Sequence, residues 1–545
     1  MNYGFLIDNR RCIGCHACST ACKSENQVPL GVSRTWVKYT EVGTYPDVKR
    51  HFQVTRCNHC ENPPCVRICP VSAMYQRQDG IVEFDANVCI GCKACMQACP
   101  YDAIYIDPET KSAAKCHFCS HRVEIGLEPA CVIVCPEHAI IAGDLDDANS
   151  EITKVLAENS VGVRKPEQGT RPKLFYINGH SASLNAANVY PQKHSYMWSE
   201  NKNAKTQNFW SFANIKNKIN QRKSYSGQNI RSPESQNSAE SYASGRKAEQ
   251  MVQVSYSASH KIPWHWQVPA YLVTKGIAAG IVFFLICTHL SGWVLSYGSD
   301  LAINLGVSLL FTLLTTLFLV FDLEHPKRFL RILTRAQMKS WLCRGAFILI
   351  AFTMVVGAWS LFEVSNVITA YPGYVFRDIF SWLTLPLAIG TAIYTAFLFG
   401  QAEGRDFWQS PLLPIRFFLQ SLLLGTACIL FLNYFIPFSV RFLAAATEMF
   451  LWSALFSLIC IFLTEFGMPL STPQAVKASH QLIYGDYKYH FWLGGLFCGH
   501  IFPLLFFVFI DAKANLLMSF MGLLCLFGIY LYEYAFVMAP QKILS

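Results

Sequence analysis

The sequence lacks the signatures of a protein that converts a substrate on its own. Its 545 residues contain no molybdenum-pterin signature, no flavin signature and no recognisable motif for a substrate pocket. Because such cofactors carry the difficult steps of redox catalysis, we expect any substrate conversion to occur on another polypeptide.

An export signal is also absent from the start of the sequence. Met1 leads to Cys12 without an apolar core, and Cys12 follows the pair Arg10-Arg11, where a twin-arginine signal requires a hydrophobic region. We therefore expect that the chain carries no export signal of its own.

The chain is too long for one ordinary domain, and its content of polar residues is low. Hydrophobic residues make up 52% of the sequence and the mean hydropathy is above zero, which predicts a membrane protein. The formal net charge of +9 comes partly from a polar middle segment and partly from one loop between apolar runs. We therefore do not interpret it as a sign of nucleic-acid binding.

Sixteen cysteines fall into four groups between residues 12 and 135. In the spacing C-x2-C-x2-C-x3-C-P, three close cysteines bind one iron–sulfur cubane and the fourth reaches a neighbouring one. The second, third and fourth groups each end in Cys-Pro, whereas the first ends in Cys22-Lys23. The groups consist of Cys12, Cys15, Cys18 and Cys22; Cys57, Cys60, Cys65 and Cys69; Cys89, Cys92, Cys95 and Cys99; and Cys116, Cys119, Cys131 and Cys135.

Two other classes of cysteine site fit this pattern less well. Two C-x2-C pairs can close a tetrahedral zinc site, but zinc does not need a third close cysteine followed by a fourth. A disulfide scaffold fits poorly beside a long membrane domain. The sixteen cysteines therefore predict four [4Fe-4S] clusters with no ligand left over.

The chain divides into three predicted segments. Residues 1–185 alternate short strand-like runs with cysteine loops, which indicates an α+β ferredoxin-like four-cluster domain. Residues 186–260 are rich in Ser, Asn, Gln and Lys, which predicts a disordered polar linker. Residues 261–545 predict an all-α eight-helix transmembrane bundle, because each apolar run is long enough to span a bilayer. The runs cover residues 268–296, 301–321, 341–363, 379–400, 414–436, 443–466, 491–511 and 515–537.

The distribution of positive charge predicts the orientation of the bundle. An even number of spans places both termini on one side, together with the Lys- and Arg-rich loops 322–340, 401–411 and 467–490. The positive-inside rule then predicts a multi-pass protein of the inner (plasma) membrane with a cytoplasmic cluster domain. The alternative is a periplasmic cluster domain, exported with a signal-bearing partner.

A second candidate site lies at the helix ends on the cluster side. A charged side chain at the bilayer centre costs about 2.5–3.5 kcal/mol on insertion scales, so ionisable residues there need a partner or a function. A quinone exchanges both electrons and protons, and its site needs a hydrogen-bond donor and carboxylates. The candidate catalytic residues are His265, Lys275, Asp322, Arg344 and Glu465, and the candidates for quinone contact are His265, Trp266 and Asp322.

Simpler explanations of these residues stay open. A snorkelling or structurally paired charge explains any one of them equally well, and an ordinary aromatic belt explains Trp266. A membrane haem would need pairs of buried histidines, whereas the predicted spans offer only His289 and His500.

Residues 1–185 resemble the four-cluster ferredoxin subunit of dimethyl-sulfoxide-reductase-type complexes. The resemblance implies that the first cysteine group pairs with the fourth and the second with the third. The implied ligand sets are Cys12, Cys15, Cys18 and Cys135; Cys22, Cys116, Cys119 and Cys131; Cys57, Cys60, Cys65 and Cys99; and Cys69, Cys89, Cys92 and Cys95.

Residues 262–545 resemble the polysulfide-reductase membrane-subunit family, an eight-helix quinone-binding anchor. The matching stretches are WHWQVPAYLVTKGIAAG, DLEHPKRFLRILTRAQMKSWLCRGAF and YEYAFVMAP. The resemblance implies that His265 contacts the quinone. Lys275 departs from the usual apolar residue, and the fusion of the two parts into one chain is a second departure.

The combined prediction is a membrane-bound electron-transfer subunit. It would relay electrons through four [4Fe-4S] clusters between menaquinone or ubiquinone in the lipid and a catalytic partner. By resemblance, that partner is a molybdopterin oxidoreductase or a multihaem cytochrome. One alternative is a redox-driven proton pump with a path through His500, Glu363 and Glu448. Another is a structural or redox-sensing anchor without quinone chemistry.

Overall fold

The structure is a computed structural model that describes residues 1–43, 46–185, 190–191, 252–258, 260–292, 298–369, 374–509 and 515–543. Most of the predicted linker, residues 186–260, lies outside these ranges. The described residues form an N-terminal cluster domain and a C-terminal helical bundle, which confirms the predicted fold class.

The cluster domain is built from short strands joined by cysteine-bearing loops and helices. Its strands are β1 (Tyr3–Asp8), β2 (Trp36–Val42), β3 (Lys49–Thr55), β4 (Met74–Gln76), β5 (Val82–Phe84), β6 (Ile104–Ile106), β7 (Ala113–Lys115), β8 (Ile140–Asp144), β9 (Val161–Gly162), β10 (Leu174–Ile177), β11 (Tyr190–Pro191) and β12 (Val252–Tyr256). Its helices are α1 (Ala17–Glu25), α2 (Pro64–Ile68), α3 (Ala94–Ala98), α4 (Ser120–Val123), α5 (Ala130–Ile133), α6 (Glu151–Glu158) and α7 (Ser181–Leu184).

Strand β1 lies at the centre of the first sheet, whose order is β8-β1-β10-β9. It pairs in parallel with β10, where Phe5 is opposite Leu174, and antiparallel with β8. Phe5, Leu6 and Ile7 are at most 1% exposed, as expected for a strand that is covered on both faces. This sheet brings the two ends of the cysteine-rich segment together. The strands β4-β5 and β6-β7 form two small antiparallel pairs beside it.

The second sheet has the order β11-β12-β2-β3. Strand β12 pairs antiparallel with β2, with Val254 opposite Thr40. Residues 252–256 belong to the predicted linker, so the prediction of disorder differs from the structure at this end. The physical reason is that the strand obtains its hydrogen bonds from a distant part of the chain, which local composition does not reveal.

The bundle contains eight helices that are long and apolar enough to span a membrane, counted over the described residues. They confirm the predicted multi-pass architecture, although the first ends earlier than predicted and the third continues further. The spanning helices are α8 (Gln267–Leu290), α9 (Gly298–Phe321), α11 (Trp341–Thr369), α12 (Tyr374–Gln401), α13 (Leu413–Leu432), α14 (Val440–Phe462), α16 (Phe502–Phe509) and α17 (Asn515–Gln541). The π-helical segment Leu463–Gly467 extends α14, and the π-helical segment His490–Ile501 precedes α16 and completes its span. Two shorter helices, α10 (Arg331–Thr334) and α15 (Pro473–Ile483), lie between spans.

Helix α8 occupies the centre of the bundle and is largely buried. It packs closely against α13, where a Cβ atom on Gly280 would collide with the backbone oxygen of Ser421. Small residues at such a contact allow helix backbones to touch, which is a common solution in membranes. The close contact therefore requires glycine at position 280.

The cluster domain is held on the bundle by buried polar contacts. Arg405 donates to Asp102 Oδ1 at 3.0 Å and to Gln97 Oε1 at 2.9 Å. Gln97 Nε2 donates to Gln541 Oε1 at 2.6 Å. Gly91, in the third cysteine loop, has φ +72°, and a Cβ atom there would lie 2.5 Å from Cβ of Glu324. These contacts define one orientation of the cluster domain on the membrane face.

We predict that Arg405→Ala weakens this attachment by about 3–5 kcal/mol, because it removes one partner of a buried ion pair and leaves Asp102 without this guanidinium. Hydrogen exchange of the backbone amides of residues 104–106 and 113–115, measured on the solubilised protein, reports the effect. The control is Arg67→Ala, which removes an ion pair with Glu403 at 2.6 Å whose arginine is 51% exposed. Its expected cost is below about 1 kcal/mol, and equal effects of the two variants would contradict the prediction.

Candidate functional site

The sixteen cysteines meet in four groups of four, each with three cysteines from one sequence group and one from another. Three of these groups line cavities of ≈ 340 Å³, ≈ 260 Å³ and ≈ 370 Å³. The cavities belong to site 1 (Cys12, Cys15, Cys18 and Cys135), site 2 (Cys22, Cys116, Cys119 and Cys131) and site 4 (Cys69, Cys89, Cys92 and Cys95). Site 3 consists of Cys57, Cys60, Cys65 and Cys99, in which the thiols of Cys60 and Cys65 interact electrostatically with those of Cys57 and Cys99.

The donor set and its surroundings fit iron–sulfur clusters. Backbone N–H groups donate to the sulfurs of Cys69 at 3.2 Å, Cys135 at 3.3 Å and Cys89 at 3.4 Å, and hydrogen bonds of this kind tune the potentials of iron–sulfur clusters. Over the described ranges, no three or more His, Cys, Asp or Glu side chains lie close enough to hold one metal ion. Cys12 to His16 also match the haem-attachment spacing C-x2-C-H, but both cysteines line the site 1 cavity.

Burial has a strong effect on the thiols of these sites. It raises the pKa of Cys18 and Cys99 to about 11 and that of Cys116 to about 12. Without iron, these thiols would therefore be protonated at neutral pH. Iron binding must displace the protons, which couples cluster assembly to the folding of the domain.

The four sites form a row. Cys18 of site 1 interacts electrostatically with Cys131 of site 2, and Cys116 of site 2 does so with Cys57 of site 3. Site 3 is joined to site 4 in the same way, through Cys65 and Cys95. The order along the row is therefore site 1, site 2, site 3, site 4.

The two ends of the row have different surroundings. At site 1, Cys15 is exposed and Ile13 is 56% exposed, so this end of the row lies at the surface of the chain. At site 4, Trp264 Nε1 donates to the backbone oxygen of Cys92 at 3.3 Å, and Arg328 Nη1 donates to that of Cys89 at 2.9 Å. Site 4 therefore lies directly on the membrane domain.

Next to site 4, a charged group lies at the cluster-side ends of α8 and α9. Lys93 Nζ donates to the backbone oxygen of Asp322 at 2.9 Å and lies 3.4 Å from its carboxylate. The Glu324 carboxylate lies 3.3 Å from the same ammonium. Burial raises the pKa of Asp322 to about 6, against the opposing effect of Lys93.

His265 is exposed at the start of α8, within the electrostatic influence of this group. Partial burial lowers its pKa; nearby Lys93 lowers it further, whereas Glu324 opposes the shift. Trp266 is 51% exposed and its ring lies 5.9 Å from that of Phe318. Among the predicted quinone contacts, His265 and Asp322 therefore share one electrostatic environment.

The other three candidate catalytic residues lie elsewhere. Lys275 is buried in the bundle, where Nζ donates to the backbone oxygen of Ala392 at 3.0 Å and to Thr395 Oγ1 at 2.5 Å. Arg344 is exposed and its Nε donates to the backbone oxygen of Met338 at 2.5 Å. The structure therefore does not combine the five predicted residues in one constellation.

Glu465 belongs to a separate buried polar group inside the bundle. Its carboxylate accepts a hydrogen bond from Tyr532 at 3.4 Å and lies 3.8 Å from Arg416 Nη1. Arg416 Nη2 lies at the same distance, 3.8 Å, from the Glu533 carboxylate. Several atoms of this group have no hydrogen-bond partner among the described residues, which fits ordered water in the gaps.

Sequence reasoning missed Lys93, Arg416 and Glu533. The rule that an ionisable residue in a span needs a partner would have found Arg416 and Glu533, whereas Lys93 stands in a cysteine loop and has no such signal.

The residues of the proton-path alternative have separate contacts. Glu363 binds Arg377 at 2.7 Å, His500 contacts Ser457 at 3.0 Å and Glu448 is exposed.

The fold and the cysteine sites define a class of protein: a ferredoxin-type electron-transfer domain on a membrane-spanning bundle. This protein belongs to the polysulphide reductase NrfD family, whose model matches residues 255–544. A 4Fe-4S dicluster domain matches residues 48–145 and a 4Fe-4S binding domain matches residues 10–28.

Curated relatives resemble the cluster domain. The chain is 45% identical to the putative iron-sulfur subunit of a dimethyl sulfoxide reductase from Halobacterium salinarum, over 33% of this chain and 79% of that protein. It is 49% identical to a tetrathionate reductase subunit from Salmonella typhimurium, over 32% and 72%. It is 46% identical to a polysulfide reductase polypeptide from Wolinella succinogenes, over 32% and 93%.

These findings show a multi-pass membrane protein that binds iron–sulfur clusters and transfers electrons. They also show a component of an oxidoreductase complex, which implies a catalytic partner subunit. The predicted family resemblance of both halves is confirmed.

We predict that Cys95→Ala lowers the iron and acid-labile sulfide content by about a quarter, because it removes one ligand of site 4, one of the four sites at which the cysteine spacing predicts a [4Fe-4S] cluster. The matched control is Cys343→Ala, since Cys343 is also buried but lies in the bundle. Chemical analysis of the purified protein measures both variants. Full iron content in Cys95→Ala, or an equal loss in the control, would contradict this assignment.

Proposed function

We propose that the chain relays electrons through four [4Fe-4S] clusters between a quinone in the membrane and a catalytic subunit that docks near site 1. The observation that carries the proposal is the row of four-cysteine sites, one end of which lies on the membrane domain beside His265 and Asp322. When bound, such clusters accept and release one electron at a time. The ligand sets are those of sites 1 to 4.

His265 and the charged group beside it would bind the quinone headgroup. His265 is exposed and lies two residues before the membrane-spanning helix α8 begins, so its imidazole can donate a hydrogen bond to a ring oxygen. Trp266 and Phe318 supply an apolar edge. Menaquinone and ubiquinone both fit this chemistry.

Asp322 and Glu324 would exchange the protons of the reaction with water. Lys93 holds both carboxylates and lies next to Cys92, a ligand of site 4. The same lysine therefore connects the proton-accepting side chains to the cluster loop. Positioning these groups in advance lowers the cost of arranging them during the reaction.

The opposite end of the row suits a catalytic partner. Exposure of Cys15 and Ile13 leaves site 1 accessible from outside the chain. Relatives of the cluster domain are named as subunits of dimethyl sulfoxide, tetrathionate and polysulfide reductases. By that resemblance we propose a molybdopterin oxidoreductase as the partner, with a multihaem cytochrome as the alternative.

We predict that His265→Ala abolishes reduction of the clusters by a reduced quinol, because the headgroup loses its hydrogen-bond donor. Cluster spectra recorded after mixing with quinol measure the rate, and dithionite reduction checks that the clusters remain. The control is His480→Ala, an exposed histidine on α15, which should react at the wild-type rate. Unchanged rates in His265→Ala would remove this residue from the site.

We predict that the rate of quinol oxidation rises as the pH increases through about 6, because Asp322 accepts a proton only when ionised and burial raises its pKa to about 6. Asp322→Asn should remove this inflection and lower the rate by about tenfold or more. A pH series of quinol-driven cluster reduction tests both effects. An Asp322→Asn variant that keeps the wild-type profile would exclude this carboxylate as the proton acceptor.

A further inference from the structure

Arg56 is a buried cation that the four ligand sets do not use. It follows β3, directly precedes Cys57 and is 0% exposed. Its Nη1 donates to the sulfur of Cys131 at 2.9 Å, and the guanidinium carbon lies 4.6 Å from the centre of the Phe5 ring. The side chain therefore lies against one ligand of site 2.

The remaining guanidinium nitrogens have no hydrogen-bond partner within the described part of the chain. A buried guanidinium without a counter-charge is strongly unfavourable. The sulfur of Cys131 accepts a hydrogen bond from this guanidinium, and α1, which carries Cys18, packs on α5, which carries Cys131. The negative charge that compensates Arg56 is therefore expected from sites 1 and 2.

We infer that Arg56 is a positioning residue for electron transfer that raises the reduction potentials of the clusters at sites 1 and 2. The inference rests on the proposed assignment of a [4Fe-4S] cluster to each of these sites. Reduction adds one electron, and thus one negative charge, to a cluster. A nearby guanidinium in a medium of low dielectric constant stabilises that added charge.

Arg56 affects the reduction potentials of the two sites in different ways. At site 2, the hydrogen bond to Cys131 adds to the charge effect, because hydrogen bonds to cluster sulfurs also raise the potential. At site 1, only the charge acts, because Arg56 contacts Cys131 on α5 and α1, which carries Cys18, packs on α5. Since these sites form the end of the row away from the membrane, Arg56 favours the presence of electrons near the catalytic partner.

The alternative is that Arg56 only fills space in the core. Arg164 provides a matched control because it is 2% exposed in the same domain and packs 5.7 Å from the ring centre of Tyr101. A neutral substitution there should cost comparable stability. It should leave the potentials of sites 1 and 2 unchanged.

The test is a redox titration of the full-length protein followed by electron paramagnetic resonance, with iron content measured alongside. In Arg56→Gln, which removes the charge, two of the four titration steps should move to lower potential. In Arg56→Lys, which keeps the charge but cannot reproduce the guanidinium geometry, one step should move and the other three should stay. Arg164→Gln should match the wild type.

Each outcome decides the inference. If Arg56→Gln fails to retain its clusters, Arg56→Lys alone is decisive: one lowered step supports the inference and four unchanged steps overturn it. Equal shifts in Arg56→Gln and Arg164→Gln also overturn it, because they reveal a packing effect. A wild-type protein without four cluster signals would instead contradict the proposed function, which separates the two failures.

Discussion

Four cysteine sulfurs must converge on each cluster, and this requirement organises the whole N-terminal domain. The short loops place three sulfurs around one cavity and direct the fourth towards its neighbour. Because each site takes its fourth cysteine from another sequence group, Cys12 and Cys135 meet in site 1. The pairing of β1 with β8 and β10 holds these distant segments together. Residues with left-handed backbone conformations, such as His16 and Lys93, turn the chain tightly around the ligands.

Polar pairs determine how the cluster domain contacts the membrane domain. Polar groups at the cluster-side ends of the helices would be costly in lipid, and the cluster domain supplies their partners. Arg405 binds Asp102 and Lys93 binds Asp322. Because these partners must match in charge and geometry, the cluster domain has one orientation on the bundle, in which site 4 is the site in contact with the bundle. A ligand loop and the predicted quinone residues thus become neighbours.

The candidate site was only partly predictable from the sequence. His265 and Asp322 lie near helix ends of similar depth, and the structure places both under the influence of Lys93. Lys275 and Glu465 were predicted by the same depth rule but occupy different contacts in the bundle. Depth in the membrane follows from position along a helix, whereas the direction that a side chain faces depends on how the helices pack.

The sequence by itself determined the sixteen cysteines, the iron–sulfur chemistry and the eight spans, because ligand spacing and the length of apolar runs are local properties. Only the tertiary structure decided that the sites form a row ending on the membrane domain, that residues 252–256 add a strand to the second sheet, and that Arg56 lies against Cys131. Each of these features joins residues far apart in the chain. Their contacts arise from packing, which no local pattern encodes.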